Sequence, residues 1–363
     1  MNILLVRLRL IGDVVFTTPI VRALRRRYPD ARLTYLVESP AAPVLRHNPH
    51  LTELIVIQRR RGLRRILDDI AVARDLQRRR FDMAIDLHGG PRAAWLTRAS
   101  GAPRRVGYAM PGRAWMYTDP VLRAPDLSSR HSVENQWDLL SALDIAPPTP
   151  VEDPVEMGAD PNAGGRIELR LRALGISPAH SFVVLHVSAG NPFRRWPEPS
   201  FVALIVSLVR RDPSRRVIVT SGPSDAAAAH RVAGEARRLL GPLAAAVPDI
   251  GDVDLAELHA LTARAAVYIG GDSGPAHIAS TTRTPIVELL GPTMPGRSRP
   301  WRDPRWYSET VDAGDLPCRP CSQRRCVPGD FRCLTRITAD QVAAAAERAM
   351  QQGTTQRERE LQA

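Results

Sequence analysis

The ten residues Gly270–Ala279, GGDSGPAHIA, bring an aspartate, a serine and a histidine together within one short stretch. Two chemistries suit these letters. A Gly-Asp-Ser-Gly run can surround a serine nucleophile, which would make Ser273 the attacking group. Such a serine needs a histidine and an aspartate supplied by earlier segments of a β-barrel. The second chemistry is anion binding, where a strand breaks into a helix whose free N–H groups and dipole favour negative charge. Here Gly270 and Gly271 follow the apolar AAVYI, and Pro275 falls in the first helical turn, where its missing N–H does no harm. Asp272 or Ser273 can cap the helix, Gly274 allows close approach, and His277 lies just inside the first turn. A diphosphate site is favoured over a nucleophile, with a simply capped helix as the plain alternative.

Three other segments carry candidate chemistry. In RLIGDVVFTTP, Asp13 follows Gly12 at a strand-to-helix turn. It reads either as a helix cap or as a carboxylate poised to take a proton. The single glycine there is not the spaced glycine pattern of a dinucleotide site. In HVSAGNPFRRWPEPSF, a Ser/Gly/Asn loop with Ser188 and Gly190 leads to Arg194, whose planar fork suits an oxyanion. The string Asp252-Val253-Asp254 could hold a divalent metal, but it precedes LAELHAL and reads as a helix cap. Finally, Cys318, Cys321, Cys326 and Cys333 fall within CRPCSQRRCVPGDFRC. Their spacing admits a structural zinc site, although the loops are short for a zinc ribbon.

The elements that must position these residues alternate. NILLVRL reads as a strand, followed by a helix from Val14 to about Arg27. ARLTYLVE and ELIVIQ are strands, Gly62 to Arg80 a long helix, and FDMAIDLHGG and RRVGY further strands. Residues 144–165 are rich in Pro, Gly and acids and read as a linker. Alternation then resumes through SFVVLHVSAG, RRVIVTSG, AVYIGG and TPIVELLG, with helices between them. This pattern implies parallel βαβ units in an α/β fold, with two open domains whose ligands sit at the carboxyl ends of the strands. Beyond Gln351 the polar tail is expected to be disordered.

Composition limits the function. The 363 residues exceed an ordinary single core. All 50 basic residues are arginine, so no lysine-dependent chemistry, such as a P-loop or a Schiff base, is open to the chain. A net charge of +12 favours an anionic partner. No apolar run is long enough to span a bilayer, and the first residues do not read as a signal peptide, so a cytoplasmic protein is expected. Charge and cysteines together raise one rival, a nucleic-acid-binding protein with a four-cysteine zinc knuckle. Against it, the arginines are spread along the chain and no aromatic-rich binding module appears.

Taken in order, the segments R-x-x-x-x-GD-x-x-x-x-x-P, AIDLHGGPRAAWLTR with RRVGY, RRWP and GGDSGPAHIASTTRTPIVELLGPT resemble glycosyltransferase family 9, the lipopolysaccharide heptosyltransferases and their relatives. The resemblance runs from residue 1 to about residue 350. It implies a GT-B architecture, two Rossmann-like domains facing a central cleft. An acceptor domain would span 1–160, a nucleotide-sugar domain 166–336, and a helix at 338–351 would cross back to the first domain. It also implies an inverting, metal-independent transfer of a sugar, with ADP-heptose as the leading donor. In that scheme Asp13 is the general base and Arg194, where the family often has Lys, neutralises the leaving diphosphate. Ser188, Gly190, Asp225, Asp272, Ser273, Gly274 and His277 would bind the donor. Asp86, His88 and Arg92 would meet the acceptor, an anionic lipid-linked glycan. No cofactor is required for catalysis, no nucleic acid is expected, and the enzyme would work peripherally at the inner face of the cytoplasmic membrane.

Overall fold

The computed structural model describes residues 1–60, 62–177 and 180–362, which divide into two compact units, Met1–Gly158 and Ala159–Ala363.

The first unit runs β1 (Asn2–Val6), α1 (Ile11–Val15), α2 (Thr18–Arg27), β2 (Arg32–Glu38), β3 (Glu53–Ile57), α3 (Gly62–Arg78), β4 (Met83–Asp86), α4 (Pro91–Ala99), β5 (Arg104–Tyr108), β6 (Asp119–Val121) and α5 (Ser132–Trp137). Its six strands are all parallel in the order β3-β2-β1-β4-β5-β6. β1, β2 and β4 read as near-continuous apolar runs because helices cover both faces of the sheet. Strand order reverses between β1 and β4, so the loops leaving those two strands diverge and open a crevice at their carboxyl ends.

The helix expected from Val14 to Arg27 is two helices. Pro19 has no N–H to donate and its ring crowds the preceding turn, and the chain breaks at Phe16–Thr17. The Thr17 hydroxyl bonds the carbonyl of Val14 and lies 2.7 Å from the Tyr35 hydroxyl. β6 escaped the sequence pattern. It is three residues long at a sheet edge, and it contains Pro120, which only an edge tolerates.

The second unit runs α6 (Pro161–Ala173), β7 (Phe182–His186), α7 (Glu198–Arg211), β8 (Arg216–Thr220), α8 (Ala226–Leu240), α9 (Leu255–Arg264), β9 (Val267–Gly271), α10 (Gly274–Ala279), β10 (Ile286–Leu290), α11 (Pro295–Ser298), β11 (Ser308–Asp312), α12 (Arg332–Thr335) and α13 (Ala339–Gln362). Its five strands are again parallel, in the order β11-β10-β9-β7-β8, with the reversal between β7 and β9. One face of this sheet packs on α7, α8 and α13 through Val183, Leu185, Ile269 and Leu289. The other packs on α6, α9 and α10 through Val184, Tyr268 and Ile286.

Two sequence expectations, the linker and the disordered tail, change. The segment read as a linker, 144–165, contains the start of α6. Asp160 caps that helix by accepting from the N–H groups of Asn162 and Ala163, and Pro161 takes the first helical position. Upstream, Asp153 and Glu156 are held by Arg26 and Arg22 of α2, so this stretch is pinned to the first unit. The helix expected at 338–351 forms as part of α13, and its apolar face (Val342, Ala346, Ala349) joins the core of the second unit. The tail beyond Gln351, expected to be disordered, continues that helix. Gln, Glu and Arg are good helix formers, and Thr354 and Thr355 bond back to the carbonyls of Met350 and Gln351.

Candidate active site

In the second unit the candidate donor residues other than Asp225 come from the two loops that diverge at the strand-order reversal. β9 ends at Gly271, and Asp272, Ser273 and Gly274 lead into α10. A Cβ on Gly271 would stand 3.2 Å from the carbonyl oxygen of Arg194, so the glycine lets the two loops approach closely. Arg194 closes a short helical turn, Pro192–Arg194, after β7. Its Nη1 pairs with Asp272 Oδ2 at 2.9 Å, and its Nε donates to Gln323 Oε1 at 2.8 Å.

Asp272 is buried and collects three donors. Besides Arg194, the Ser298 hydroxyl donates to Oδ1 at 2.6 Å, and His277 Nε2 lies 3.5 Å from Oδ1. Burial alone would push its carboxyl upward. The bond from His277, the charges of Arg194 and His277 and the Ser298 hydroxyl outweigh that and hold it well below the usual carboxylate range. A carboxylate that stays ionised cannot itself ligate a phosphate. In this structure the Asp272 side chain holds Arg194 and His277 together, so any contact of this residue with a diphosphate falls to its backbone. Nor does it cap α10. Ser273 occupies the cap position, with no cap bond from its side chain and a buried Oγ that has no hydrogen-bond partner among the described residues.

Asp225 is buried at the end of a short turn after β8. It accepts from Ser188 Oγ at 2.5 Å and from Ser224 Oγ at 3.0 Å, and pairs with Arg195 at 2.8 Å. Ser188, Arg194, Arg195, Asp225 and Gly271 line a cavity of about 240 Å³. Gly190 lies exposed on the loop between Ser188 and Arg194, with open space where a side chain would stand. Asp254 caps α9 as expected, accepting from the N–H of Glu257 at 2.8 Å.

In the first unit Asp13 is the third residue of α1 rather than its cap, and its side chain is 38% exposed. Arg7 Nη2 pairs with Asp13 Oδ2 at 2.7 Å, and the N–H of Leu10 approaches the same oxygen at 3.4 Å. Both contacts fall on Oδ2, which leaves Oδ1 without a protein partner among the described residues. Arg7 also donates from Nη1 to the carbonyl of Leu87 at 2.6 Å, tying the end of β1 to the loop after β4.

The three expected acceptor residues fare differently. Asp86 is fully buried, and burial pushes its carboxyl up. It accepts from the N–H groups of His88 and Gly89 and from the Tyr117 hydroxyl, so it shapes the β4–α4 turn and is closed to an acceptor. His88 is neutral at physiological pH. Burial first, then the charge of Arg7, brings it down to about 4, so it offers hydrogen bonds and no cation. Arg92 has its fork occupied, with Asp69 bonded at 2.6 Å and Glu38 at 2.5 Å. These two carboxylates occupy its fork and tie α4 to β2 and α3 in this structure. Arg9 and Arg123 are the exposed arginines whose charge reaches His88.

The four cysteines are free thiols that line one small cavity with Phe193, Pro292 and Phe331. Among the described residues, no group of three or more His, Cys, Asp or Glu side chains converges as a metal site.

Sequence reasoning missed Arg7, Arg195, Ser298 and Gln323 as partners of the named groups. Arg7 opens the R-x-x-x-x-GD string, which is the one signal that could have marked it. Gln323 and Ser298 lie 129 and 26 positions from the residues they bond, where local pattern carries nothing.

Residues 70–330 match the model of glycosyltransferase family 9 (heptosyltransferase). The chain is 26% identical over 353 residues to lipopolysaccharide heptosyltransferase 3 of Escherichia coli, covering 96% of this chain and 99% of that one. A solved family 9 glycosyltransferase from Veillonella parvula superposes with a TM-score of 0.83 at 22% identity, covering 96% of this chain and 97% of its own. An E. coli heptosyltransferase solved with ADP-2-deoxy-2-fluoro heptose gives a TM-score of 0.69 at 21% identity, over 96% and 99% of the two chains. At these identities the solved structures carry the fold, a pair of parallel α/β units of the GT-B kind.

Proposed function

The chain belongs to glycosyltransferase family 9, and from that premise we propose that it transfers heptose from ADP-heptose onto a lipopolysaccharide core or a related cell-envelope glycan, inverting the anomeric centre without a metal. The observation that carries the reading is the pairing of Arg194 with Asp272 where strand order reverses in the second unit, with His277 on the same carboxylate. A similar heptosyltransferase was solved with an ADP-heptose analogue, and relatives matched along nearly the whole chain are named for lipopolysaccharide heptose transfer.

The roles follow from charge. As the bond between the anomeric carbon and the diphosphate oxygen breaks, negative charge grows on the leaving nucleoside diphosphate. Arg194 and His277, already oriented by Asp272, stabilise that charge without having to reorganise. The acceptor hydroxyl oxygen forms the new bond on the opposite face of the sugar, and its proton passes to Asp13. We assign the donor to the second unit and the acceptor to the first. Calorimetric titration of the purified protein with ADP, GDP, UDP and ADP-heptose tests the reading. ADP and ADP-heptose should bind, and affinity for none of them would reject it.

We further place the enzyme in the cytoplasm, in peripheral contact with the inner membrane face. Among the described residues no helix is long and apolar enough to cross a membrane. On α3, Ile66, Leu67 and Ile70 are 49%, 67% and 37% exposed, next to exposed Arg59, Arg60, Arg64 and Arg65. An exposed apolar helix face bordered by arginines suits the headgroup layer of an anionic bilayer.

A further inference from the structure

The segment that carries the four cysteines reaches the candidate site through one side chain. Gln323 Oε1 accepts from Arg194 Nε at 2.8 Å and from Asn191 Nδ2 at 2.9 Å. Its Nε2 donates to Thr293 Oγ1 at 3.4 Å, and its backbone N–H points to Cys321 Sγ at 3.3 Å. Gln323 holds a left-handed backbone, φ 56°, which residues other than glycine rarely adopt.

The segment around it is fastened at both ends. Arg319 bonds the carbonyls of Thr293 and Gly314 and pairs with Asp312, and Phe331 packs on Phe193 with ring centroids 5.5 Å apart. The four thiols line the cavity beneath Phe193, one residue before Arg194.

For Arg194 the arithmetic of its donors is simple. Nε is taken by Gln323 and Nη1 by Asp272, which leaves Nη2 without a protein partner among the described residues. A guanidinium held at two of its three nitrogens has lost its freedom before any ligand arrives. It then gives up less entropy when it bonds a phosphate.

We propose that Gln323 is a positioning residue for Arg194: its amide oxygen, anchored by the cysteine-bearing segment, fixes the guanidinium so that its free edge meets the donor diphosphate. This rests on the donor site proposed above. It gives the cysteine-bearing segment a task in donor binding that needs no metal.

The test is a double-mutant cycle on the full chain, with ADP as the probe, read by calorimetry. Gln323→Gly removes the amide and relieves the left-handed backbone, so the fold should survive, and thermal unfolding checks that it does. Affinity for ADP should fall roughly five- to tenfold in Gln323→Gly, and should not fall further when the same change is made in an Arg194→Ala background. A role confined to general stability would weaken binding in both backgrounds, and that result would overturn the proposal. So would native affinity in Gln323→Gly while Arg194→Ala binds poorly. Native affinity in Arg194→Ala would instead remove the donor-site reading, and this inference with it.

A second measurement addresses the anchor. All four cysteines of the chain lie in this segment, so iodoacetamide modifies thiols nowhere else. Alkylation should weaken ADP binding in the wild type and add nothing in Gln323→Gly. Equal losses in both, or none in the wild type, would overturn the anchoring.

Discussion

Arg7 holds Asp13 through a single carboxylate oxygen, Nη2 to Oδ2 at 2.7 Å, while its other terminal nitrogen bonds the carbonyl of Leu87. Asp13 is thus oriented by the arginine at the start of its own strand-to-helix loop, and that arginine is steadied in turn by the loop after β4. If the carboxylate takes the acceptor proton, Asp13→Asn keeps shape and helix position and removes the base. Turnover should then fall on the order of 10²–10⁴-fold. Calorimetric affinity for ADP should stay native, because no donor-binding group is touched. Near-native turnover of Asp13→Asn on its acceptor would leave the residue a helix-end carboxylate and nothing more.

On the donor side, Arg194→Ala and His277→Ala each delete a charged or polar phosphate contact worth roughly 1.5–3 kcal/mol. That loss is about ten- to a hundredfold in ADP affinity. Ser273→Ala should keep substantial activity, since a hydroxyl that supplies one hydrogen bond is not a nucleophile. Steady-state assays on the three variants separate these roles. Collapse of activity in Ser273→Ala alone would reverse them.

How much of this was legible beforehand divides along physical lines. Fully buried parallel strands such as LLV of β1 and VVL of β7 announce themselves, because helices on both faces force continuous apolar runs. The loops after β1, β7 and β9 were legible too, since Gly12, Gly190 and Gly271 mark the turns from strand to helix. Partner choice was not. Arg92 looks like a free anion-binding arginine until Glu38 and Asp69 fold against it from β2 and α3. Asp86 looks like a cleft residue until the Tyr117 hydroxyl and two backbone N–H groups close over it. Both outcomes turn on partners far away in sequence, Asp69 for the first and Tyr117 for the second, which periodicity cannot encode.

That occupied fork gives Arg92 a different consequence from the one its sequence suggests. Its side chain is 19% exposed, and Glu38 and Asp69 are more buried still, at 7% and 12%. Removing the cation leaves two buried carboxylates uncompensated. Arg92→Met should therefore lose about 3 kcal/mol of folding stability, the range seen when one partner of a buried pair is deleted. Urea unfolding measures it. A variant of native stability that has lost only affinity for its acceptor would favour the acceptor role instead.

Contact with the membrane is testable without donor or acceptor. The protein should sediment with vesicles containing phosphatidylglycerol and stay behind with pure phosphatidylcholine. Leu67→Ser should weaken that binding roughly tenfold, since it removes an apolar wedge. Arg64→Glu with Arg65→Glu should weaken it most at low salt, where the Debye length is about 10 Å or longer. Indifference to all three substitutions would place the contact elsewhere on the surface. A dimer that Leu67→Ser converts to monomer, with vesicle binding unchanged, would make the face a self-association surface.

Glu288 supplies the last prediction. It is fully buried on β10, and neither carboxylate oxygen has a hydrogen-bond partner among the described residues. In the sheet register it sits beside Gly270, where a Cβ would fall 2.7 Å from the Tyr268 hydroxyl. Burial, and then the nearby charge of Asp272, push its carboxyl well above 4.5, with Arg194 offsetting only part of the rise. The native protein thus keeps a proton that the unfolded chain releases once pH passes about 4.5. Between those two values the folded state binds one more proton than the unfolded state. Stability must therefore fall as pH rises, by up to about 1.4 kcal/mol per pH unit. This contribution is fully present below the unfolded value and is lost on the way up through the folded one. Glu288→Gln copies the neutral acid and cannot ionise. It should match the wild type near pH 4 and exceed it progressively toward pH 8, measured as unfolding free energy in urea across that range. A stability difference that does not change with pH would mean that Glu288 is ionised in the fold and that an unseen partner holds its charge.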